Sequence, residues 1–233
     1  MTRAFFITGT DTGIGKTVAS LALIRALRAR GLAAVGMKPV AAGAERCAQG
    51  WRNDDALAMQ QASAGHPDYA LVNPVCLPDA TTPQLAASLA AEPIRLETLL
   101  GAYEQLAARA DVVVIEGAGG WLSPWAATLD QSALVRALGI PVILVCGLRL
   151  GGISHARLSA RAVIADGCTL AGWIGNHLAP EPLHPEGNLA VLAGHLPAPC
   201  LGVLPQLSAA SDTADGCLRL DLLLGDLPPR RPG

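Results

Sequence analysis

The chain has 233 residues, 51% of them hydrophobic and 15% charged, with a formal net charge of −2 at pH 7. This length suffices for one large domain with a buried core, and the small net charge without a basic stripe argues against nucleic acid as a partner. No apolar stretch reaches the roughly 20 residues of a membrane span and no signal-peptide pattern is present, so we expect a cytoplasmic protein that does not bind membranes.

The first predicted elements are a short apolar strand at residues 4–7, a glycine-rich turn and a helix at residues 16–30. A strand that leads through glycines into a helix directs backbone N–H groups and the positive end of the helix dipole toward one point. Lys16 would contact the β- and γ-phosphates of a nucleotide there, and the Thr17 hydroxyl would ligate Mg²⁺. The loop is one residue longer than the common G-x-x-x-x-G-K-[ST] pattern, because its upstream glycine is Gly9. We interpret it as a phosphate-binding loop; an ordinary glycine-rich turn is the alternative.

A second lysine follows the next predicted strand, residues 33–37. Lys38 and Lys16 are the two lysines of the chain, beside fifteen arginines. A compact ammonium on a flexible stem is a good point charge for phosphate, whereas a planar guanidinium suits fork-like recognition. Because ligands of a parallel sheet bind beyond the carboxyl ends of its strands, we expect Lys38 to meet the phosphate loop at one edge.

Two carboxylates are candidates for the same edge. Asp55 lies at the start of a predicted helix, residues 54–61, where it is either a metal ligand or a helix cap. Glu116 follows a predicted buried strand, residues 111–115, and precedes a glycine-rich run at residues 117–120. A carboxylate beside a phosphate loop is well placed to hold Mg²⁺, and a buried salt bridge is the alternative for Glu116. The N–H groups of the glycine-rich run either face the γ-phosphate or only turn the chain.

The remaining predicted elements continue an alternation of strands and helices. They are helices at residues 96–109, 129–138 and 154–165, and strands at residues 141–146, 170–175 and 201–204. Continuous apolar runs separated by helices are typical of a three-layer α/β fold, a mostly parallel sheet with helices on both faces. We expect a single domain over residues 1–227 and a disordered tail over residues 228–233.

Composition also bears on cysteine chemistry and assembly. Six cysteines are scattered along the chain without a C-x-x-C pair, so we expect reduced thiols in packing positions. The high hydrophobic and low charged shares indicate that a second subunit covers part of the surface.

Several short motifs together resemble the dethiobiotin synthetase family. They are T-G-T-D-T at 8–12 with G-K-T at 15–17, K-P-V at 38–40, R-N-D-D-A-L at 52–57, N-P at 73–74, E-G-A-G-G-W at 116–121 and A-G-W-I-G-N at 171–176. The phosphate loop alone fits many ATPases, but the ordered set is specific and extends from about residue 3 to residue 206. The resemblance implies a P-loop NTPase fold.

The resemblance also implies a reaction, the ATP- and Mg²⁺-dependent conversion of 7,8-diaminononanoate and CO₂ to dethiobiotin, ADP and phosphate by a homodimeric cyclo-ligase of biotin biosynthesis. One amine takes up CO₂ as a carbamate, the γ-phosphoryl group activates it as a carbamic–phosphoric anhydride, and the second amine closes the cyclic urea. An anionic carbamate must approach an anionic triphosphate, so cations have to neutralise their encounter. Positioning and electrostatics then supply most of the catalysis.

By the same resemblance, residues of this chain take the following roles. Catalysis would involve Lys38, Lys16 and Thr12. Nucleotide binding would involve Gly13, Ile14, Gly15, Lys16, Thr17, Val18, Asp55, Glu116, Gly117, Ala118, Gly119, Asn176, His177 and Pro205, with Asn176 at the adenine edge and Pro205 lining the base pocket. The metal ligands would be Thr17, Asp55 and Glu116. Substrate binding would involve Lys38 and Ala42, and, across the dimer interface, Gly151, Gly152, Ile153 and Ser154.

The chain departs from the family pattern at five positions. Gly13 stands where Glu is common, Ala42 where Ser or Thr contacts substrate, Arg149 where Lys is familiar, Ser154 where Asn occurs, and His177 where Asp is common. Ala42 lacks a hydroxyl for the carbamate. Since no metal ligand or central lysine is lost, the departures bear on substrate affinity rather than on ATP chemistry.

Two other functions would suit the same fold. A partner-controlled switch ATPase typically carries a second lysine five residues before the invariant one, where this chain has Asp11. A ligase acting on another carboxylate, such as the ATP-binding half of an amidotransferase, would need a fused glutaminase, for which the chain has no extra length.

Overall fold

The computed structural model of the protein describes residues 2–178, 183–206 and 216–225, so the expected domain end at residue 227 and the expected tail at residues 228–233 lie outside it. Its strands are β1 (Arg3–Gly9), β2 (Ala34–Met37), β3 (Val40–Ala42), β4 (Glu45–Cys47), β5 (Gly50–Arg52), β6 (Val75–Leu77), β7 (Val112–Gly120), β8 (Pro124–Ala126), β9 (Leu129–Asp130), β10 (Val142–Leu148), β11 (Leu170–His177) and β12 (Cys200–Leu204). Its helices are α1 (Lys16–Ala29), α2 (Asp54–Ala62), α3 (Tyr69–Val72), α4 (Pro83–Leu89), α5 (Leu96–Ala107), α6 (Gln131–Leu138), α7 (Gly152–Ala165), α8 (Pro185–His195) and α9 (Asp221–Leu224).

Six parallel strands form the central sheet in the order β12-β11-β10-β1-β7-β2. The other strands pair in twos, β3 with β6, β4 with β5 and β8 with β9. Parallel neighbours require crossover connections, and here helices supply them, as in other α/β proteins. The predicted mostly parallel α/β architecture is confirmed.

The side chains of β1 alternate between the two faces of the sheet. Phe5 and Ile7 belong to a core cluster that includes Leu23 and Leu27 of α1. Phe6 faces the other way, into a second cluster that contains residues of α5 and α6, among them Leu99. Because both faces are covered by helices, every residue from 4 to 7 is apolar rather than every second one.

Element boundaries differ from the prediction where pairing overrides local pattern. The helix expected from residue 129 begins at Gln131, since Leu129–Asp130 pairs with β8 as β9. The strand expected to end before Glu116 continues through Gly120, which pairs with Gly9 of β1. Within the described part of the chain, no helix is both long enough and apolar enough to cross a membrane.

Candidate active site

The segment between β1 and α1 forms a glycine-rich loop at the carboxyl edge of the sheet. Gly13 and Gly15 have positive φ angles of 69° and 90°, a region that favours glycine, and Gly15 is the N-cap of α1. The first helical hydrogen bond runs from the N–H of Ala19 to the carbonyl of Gly15, so the N–H groups of the first turn lie ahead of the helical ladder. With the helix dipole, these groups form a site suited to an anion.

Asn176 supports this loop from the neighbouring part of the sheet. Its side-chain Nδ2 donates a hydrogen bond of 3.0 Å to the main-chain carbonyl of Ile14, and Asn176 is buried at the end of β11. A Cβ atom added to Gly15 would collide with the same Nδ2. The close approach therefore requires glycine at position 15 in addition to the positive φ.

The ammonium of Lys16 folds back over the loop. It donates to the main-chain carbonyl of Asp11 at 3.0 Å, and Lys16 is 7% exposed. Burial lowers the pKa of Lys16, and the carboxylate of Glu116 partly offsets this effect. The carboxylate of Asp11 accepts from the N–H of Thr12 at 2.8 Å and pairs with Arg149 at 2.9 Å. The lysine thus has a main-chain acceptor that an anionic ligand could replace.

Lys38 meets two carboxylates at the same edge. Met37 of β2 pairs with Ile115 of β7, so the residues that follow them, Lys38 and Glu116, are neighbours. The ammonium nitrogen of Lys38 lies 2.5 Å from Oε1 of Glu116 and 3.1 Å from Oδ2 of Asp55. The salt bridge considered as an alternative for Glu116 is therefore present.

The electrostatics of this group keep Lys38 and Asp55 ionised. Burial opposes the charged form of Lys38, but attraction to Glu116 and Asp55 outweighs it and raises the pKa of Lys38. Burial likewise opposes the charged form of Asp55, but the adjacent Lys38 ammonium lowers the pKa of this carboxyl. Lys38 is therefore an electrostatic group rather than a base at neutral pH.

The residues fit a magnesium ion that would arrive with a nucleotide. Glu116 is fully buried, and its Oε2 has no hydrogen-bond partner among the described residues. The hydroxyl of Thr17 donates to Oε1 of Glu116 at 3.0 Å, and Oδ2 of Asp55 lies 3.1 Å from the Lys38 ammonium that contacts the same Glu116 oxygen. No described group of three or more His, Cys, Asp or Glu residues could hold a metal by itself. A hydroxyl and two carboxylates suit Mg²⁺, which commonly completes its octahedron with phosphate and water.

Asp55 is not the cap of its helix. The N-cap of α2 is Asn53, whose Oδ1 accepts from the N–H of Ala56 at 3.2 Å. Asp55 is the second residue of the helix, and its carboxylate is directed toward Lys38 instead. The capping alternative for Asp55 is therefore wrong.

A cavity of about 610 Å³ opens between the phosphate loop, β3 and the segment after Glu116. Of the residues predicted for the site, it is lined by Thr12, Gly13, Gly15, Lys16, Thr17, Val18, Lys38, Ala42, Asp55, Glu116, Ala118 and Gly119. Both lysines of the chain and all three predicted metal ligands thus share one cavity.

Other predicted site residues lie outside this cavity. Ile14 is buried in the core, and a side chain on Gly117 would collide with Phe6 and Gln131. The residues predicted for the adenine site lie at neighbouring strand ends: Asn176 and His177 are the last residues of β11, and Pro205 follows its partner strand β12. The residues of the predicted substrate loop are Gly151, Gly152, Ile153 and Ser154, which cap or begin α7 beside the exposed Leu150.

The structure adds cavity residues that the sequence did not suggest. They are Val40, Ala41, Asn53, Ala80, Thr81, Thr82, Pro83 and Ser123. The loop before α4 had one usable signal, since Thr82 is the N-cap and Pro83 the first residue of that helix. A helix predicted to begin at this point would have indicated a polar loop between β6 and α4.

Comparison with known proteins agrees with this geometry. A family model described as an AAA domain matches residues 3–214. The ATP-dependent dethiobiotin synthetase BioD of Xanthomonas oryzae pv. oryzae (strain PXO99A) is 55% identical over 202 residues, which cover 87% of this chain and 90% of that protein. The protein of the same name from Xylella fastidiosa (strain 9a5c) is 53% identical over 217 residues, covering 93% and 96%.

Solved structures agree on the fold alone. The MinC:MinD cell division complex of Aquifex aeolicus matches with a TM-score of 0.57 at 14% identity, covering 94% of this chain and 88% of that one. A ParA family ATPase from Chlorobium tepidum TLS matches with a TM-score of 0.54 at 10% identity, covering 89% and 86%. Sequence identity above one half along most of both chains is decisive for the family: the chain belongs to the ATP-dependent dethiobiotin synthetases, with the fold of the P-loop NTPases.

Proposed function

We propose that this chain is an ATP- and Mg²⁺-dependent cyclo-ligase that converts 7,8-diaminononanoate and CO₂ to dethiobiotin, ADP and phosphate in biotin biosynthesis. The names of its relatives support the reaction. The observation that carries the proposal is that both lysines of the chain, Lys16 and Lys38, line one cavity with Thr17, Asp55 and Glu116. Such a cavity offers the cations that two approaching anions require.

The phosphate loop binds the triphosphate in this proposal. Lys16 exchanges its main-chain acceptor on Asp11 for phosphate oxygens, and the free N–H groups at the start of α1 donate to the same anion. Thr17, Asp55 and Glu116 would hold Mg²⁺, which when bound supplies positive charge to the β- and γ-phosphates.

Lys38 neutralises the second anion. A carbamate oxygen of the substrate attacks the γ-phosphorus and ADP leaves, so negative charge accumulates between the two reactants. The Lys38 ammonium stays protonated beside Glu116 and stabilises that charge without accepting a proton. The second amine then attacks the carbonyl carbon of the anhydride, and phosphate leaves as the ring closes.

Several parts of the proposal concern contacts beyond the cavity. We assign the adenine edge to Asn176, with His177 and Pro205 beside the base. We assign the substrate carboxylate to residues 151–154 of a second subunit in a cytoplasmic homodimer, each subunit one domain over residues 1–227. Leu150, beside that loop, is 96% exposed, which supports an interface there.

The proposal is tested by phosphate release from MgATP with and without 7,8-diaminononanoate and bicarbonate, with mass spectrometry of the product. Release that requires both compounds and yields dethiobiotin is the expected result. ATP hydrolysis that is indifferent to the diamine would instead favour a switch ATPase, although Asp11 stands where that class typically has its second lysine. Turnover only with other carboxylates would favour a different ligase.

A further inference from the structure

A buried tyrosine is linked by hydrogen bonds to the two segments that carry Lys38 and Asp55. Tyr69, the first residue of α3, is 7% exposed, and its hydroxyl takes part in two short hydrogen bonds beside a longer contact of 3.5 Å with Sγ of Cys76. It accepts from the main-chain N–H of Asn53 at 2.8 Å and donates to Oδ1 of Asn73 at 3.0 Å. Burial raises the pKa of Tyr69, so the hydroxyl stays neutral and can both donate and accept.

On one side, this hydroxyl is connected to the main chain of Lys38. The side-chain Nδ2 of Asn73 donates to the carbonyl of Lys38 at 2.7 Å and to the carbonyl of Val75 at 3.0 Å. The N–H of Lys38 in turn donates to the carbonyl of Val72 at 2.7 Å. Both main-chain groups of Lys38 are thus attached to the segment at the end of α3.

On the other side, the hydroxyl is connected to the start of α2. Asn53 caps this helix with its side chain, and its carbonyl accepts from the N–H of Leu57 at 3.0 Å. The N–H of Asn53 lies outside the helical ladder, so Tyr69 supplies its acceptor. Asp55 is two residues farther along, and its Oδ2 contacts Lys38.

We propose that Tyr69 is a positioning residue that fixes the Lys38 ammonium and the Asp55 carboxylate relative to each other through its two hydrogen bonds. The inference rests on the proposed roles of Lys38 and Asp55. Tyr69 does not line the cavity and touches no reacting group. Its effect reaches the reaction only through the geometry of that pair, which has to be precise because catalysis here depends on positioning.

The matched test compares Tyr69→Phe with Tyr103→Phe, since these are the two tyrosines of the chain and Tyr103 lies half-buried on α5. Hydrogen exchange of the Asn53 amide, measured without ligands, should become about tenfold faster in Tyr69→Phe because the amide loses its acceptor. Its kcat should fall about tenfold to 100-fold, while Kd for ATP measured without Mg²⁺ stays within about twofold because Lys16 is unaffected. Tyr103→Phe should change none of these quantities.

A second variant separates the two hydrogen bonds and guards against a folding defect. Asn73→Asp keeps an acceptor for the Tyr69 hydroxyl but loses the donor to the Lys38 carbonyl. Measured where circular dichroism shows it fully folded, it should lower kcat while Asn53 exchange stays near the wild-type rate. Unchanged Asn53 exchange in Tyr69→Phe, or wild-type kcat in both variants, would overturn the inference. Failure of the wild-type protein to form dethiobiotin would overturn the proposed function instead, before any variant is compared.

Discussion

The ammonium nitrogen of Lys38 lies 2.5 Å from Oε1 of Glu116, and this oxygen belongs to the most completely enclosed carboxylate of the cavity. A buried charge without a partner is costly, and breaking such a pair by removing one partner typically costs about 3–5 kcal/mol. Each residue is therefore the counter-ion of the other before any ligand enters. The pair combines a structural role with the positive charge that the reaction needs.

Replacing Lys38 with alanine is expected to lower kcat by at least about 100-fold and to leave MgATP binding largely intact, because this charge matters most as the anhydride forms. Lys16→Ala should instead weaken MgATP binding itself, since Lys16 lies over the phosphate loop. Phosphate-release kinetics and calorimetric titration with MgATP distinguish the two variants. Normal turnover of Lys38→Ala would remove Lys38 from the mechanism.

Replacing Thr17 with valine removes a hydroxyl and preserves the shape of the side chain. We expect weaker ATP binding in the presence of Mg²⁺ and little change in its absence, because the hydroxyl would serve the metal. Thr17→Ser keeps the hydroxyl and should bind nearly as the wild-type protein does. Titrations with ATP at several Mg²⁺ concentrations measure the difference. An unaltered metal dependence in Thr17→Val would argue against Thr17 as a ligand.

Alanine at Gly15 and at Gly13 should have different consequences, although both residues have positive φ. A left-handed conformation costs a non-glycine residue about 1–2 kcal/mol, and this applies to both variants. Only Gly15→Ala would also drive a Cβ into Asn176, whereas a Cβ on Gly13 meets nothing within 4 Å. Urea unfolding should therefore show the larger loss of stability for Gly15→Ala. Equal losses would mean that the contact between Gly15 and Asn176 carries no constraint.

Ala42→Ser would restore a hydroxyl on the cavity wall that the family pattern usually has. Ala42 lines the cavity beside Val40 and Ala41, so the hydroxyl would face the proposed substrate position. One additional hydrogen bond contributes about 0.5–1.5 kcal/mol, so kcat/KM for the diamine should rise by up to about tenfold while KM for MgATP is unchanged. Steady-state kinetics with each substrate varied provide the test, and a lower kcat/KM would show that the chain has adapted to alanine.

The sequence predicted the sheet because its strands are long apolar runs, which are a local pattern. It predicted that Lys38 and Glu116 lie close together because both follow strands of a parallel sheet, whose carboxyl ends meet at one edge. The contact between Lys38 and Asp55 was not predictable in the same way. It depends on where α2 lies, which is set by tertiary contacts: Ala56 and Met59 pack into the core, and the N–H of Asn53 donates to Tyr69.

Short elements were missed for a related physical reason. The strands β3 and β6 have three residues each, which is too short for a recognisable alternation of apolar and polar residues. They are stabilised by pairing with one another, which the local sequence does not reveal. Glycine and asparagine at positions 187 and 188 are typical of a turn, but the segment 187–189 lies within α8. Packing of Leu192 into a core cluster outweighs the weak helix propensity there.

The central position of β1 in the sheet has a consequence for how the chain folds during its synthesis. The strand is synthesised well before its neighbours in the sheet, β7 and β10, which end at residues 120 and 148. Neither edge of β1 therefore has its full partner before residue 120 is synthesised, and one edge has none complete before residue 148. Long loops must close before burial compensates their entropy, and the apolar strand is open to misassociation meanwhile.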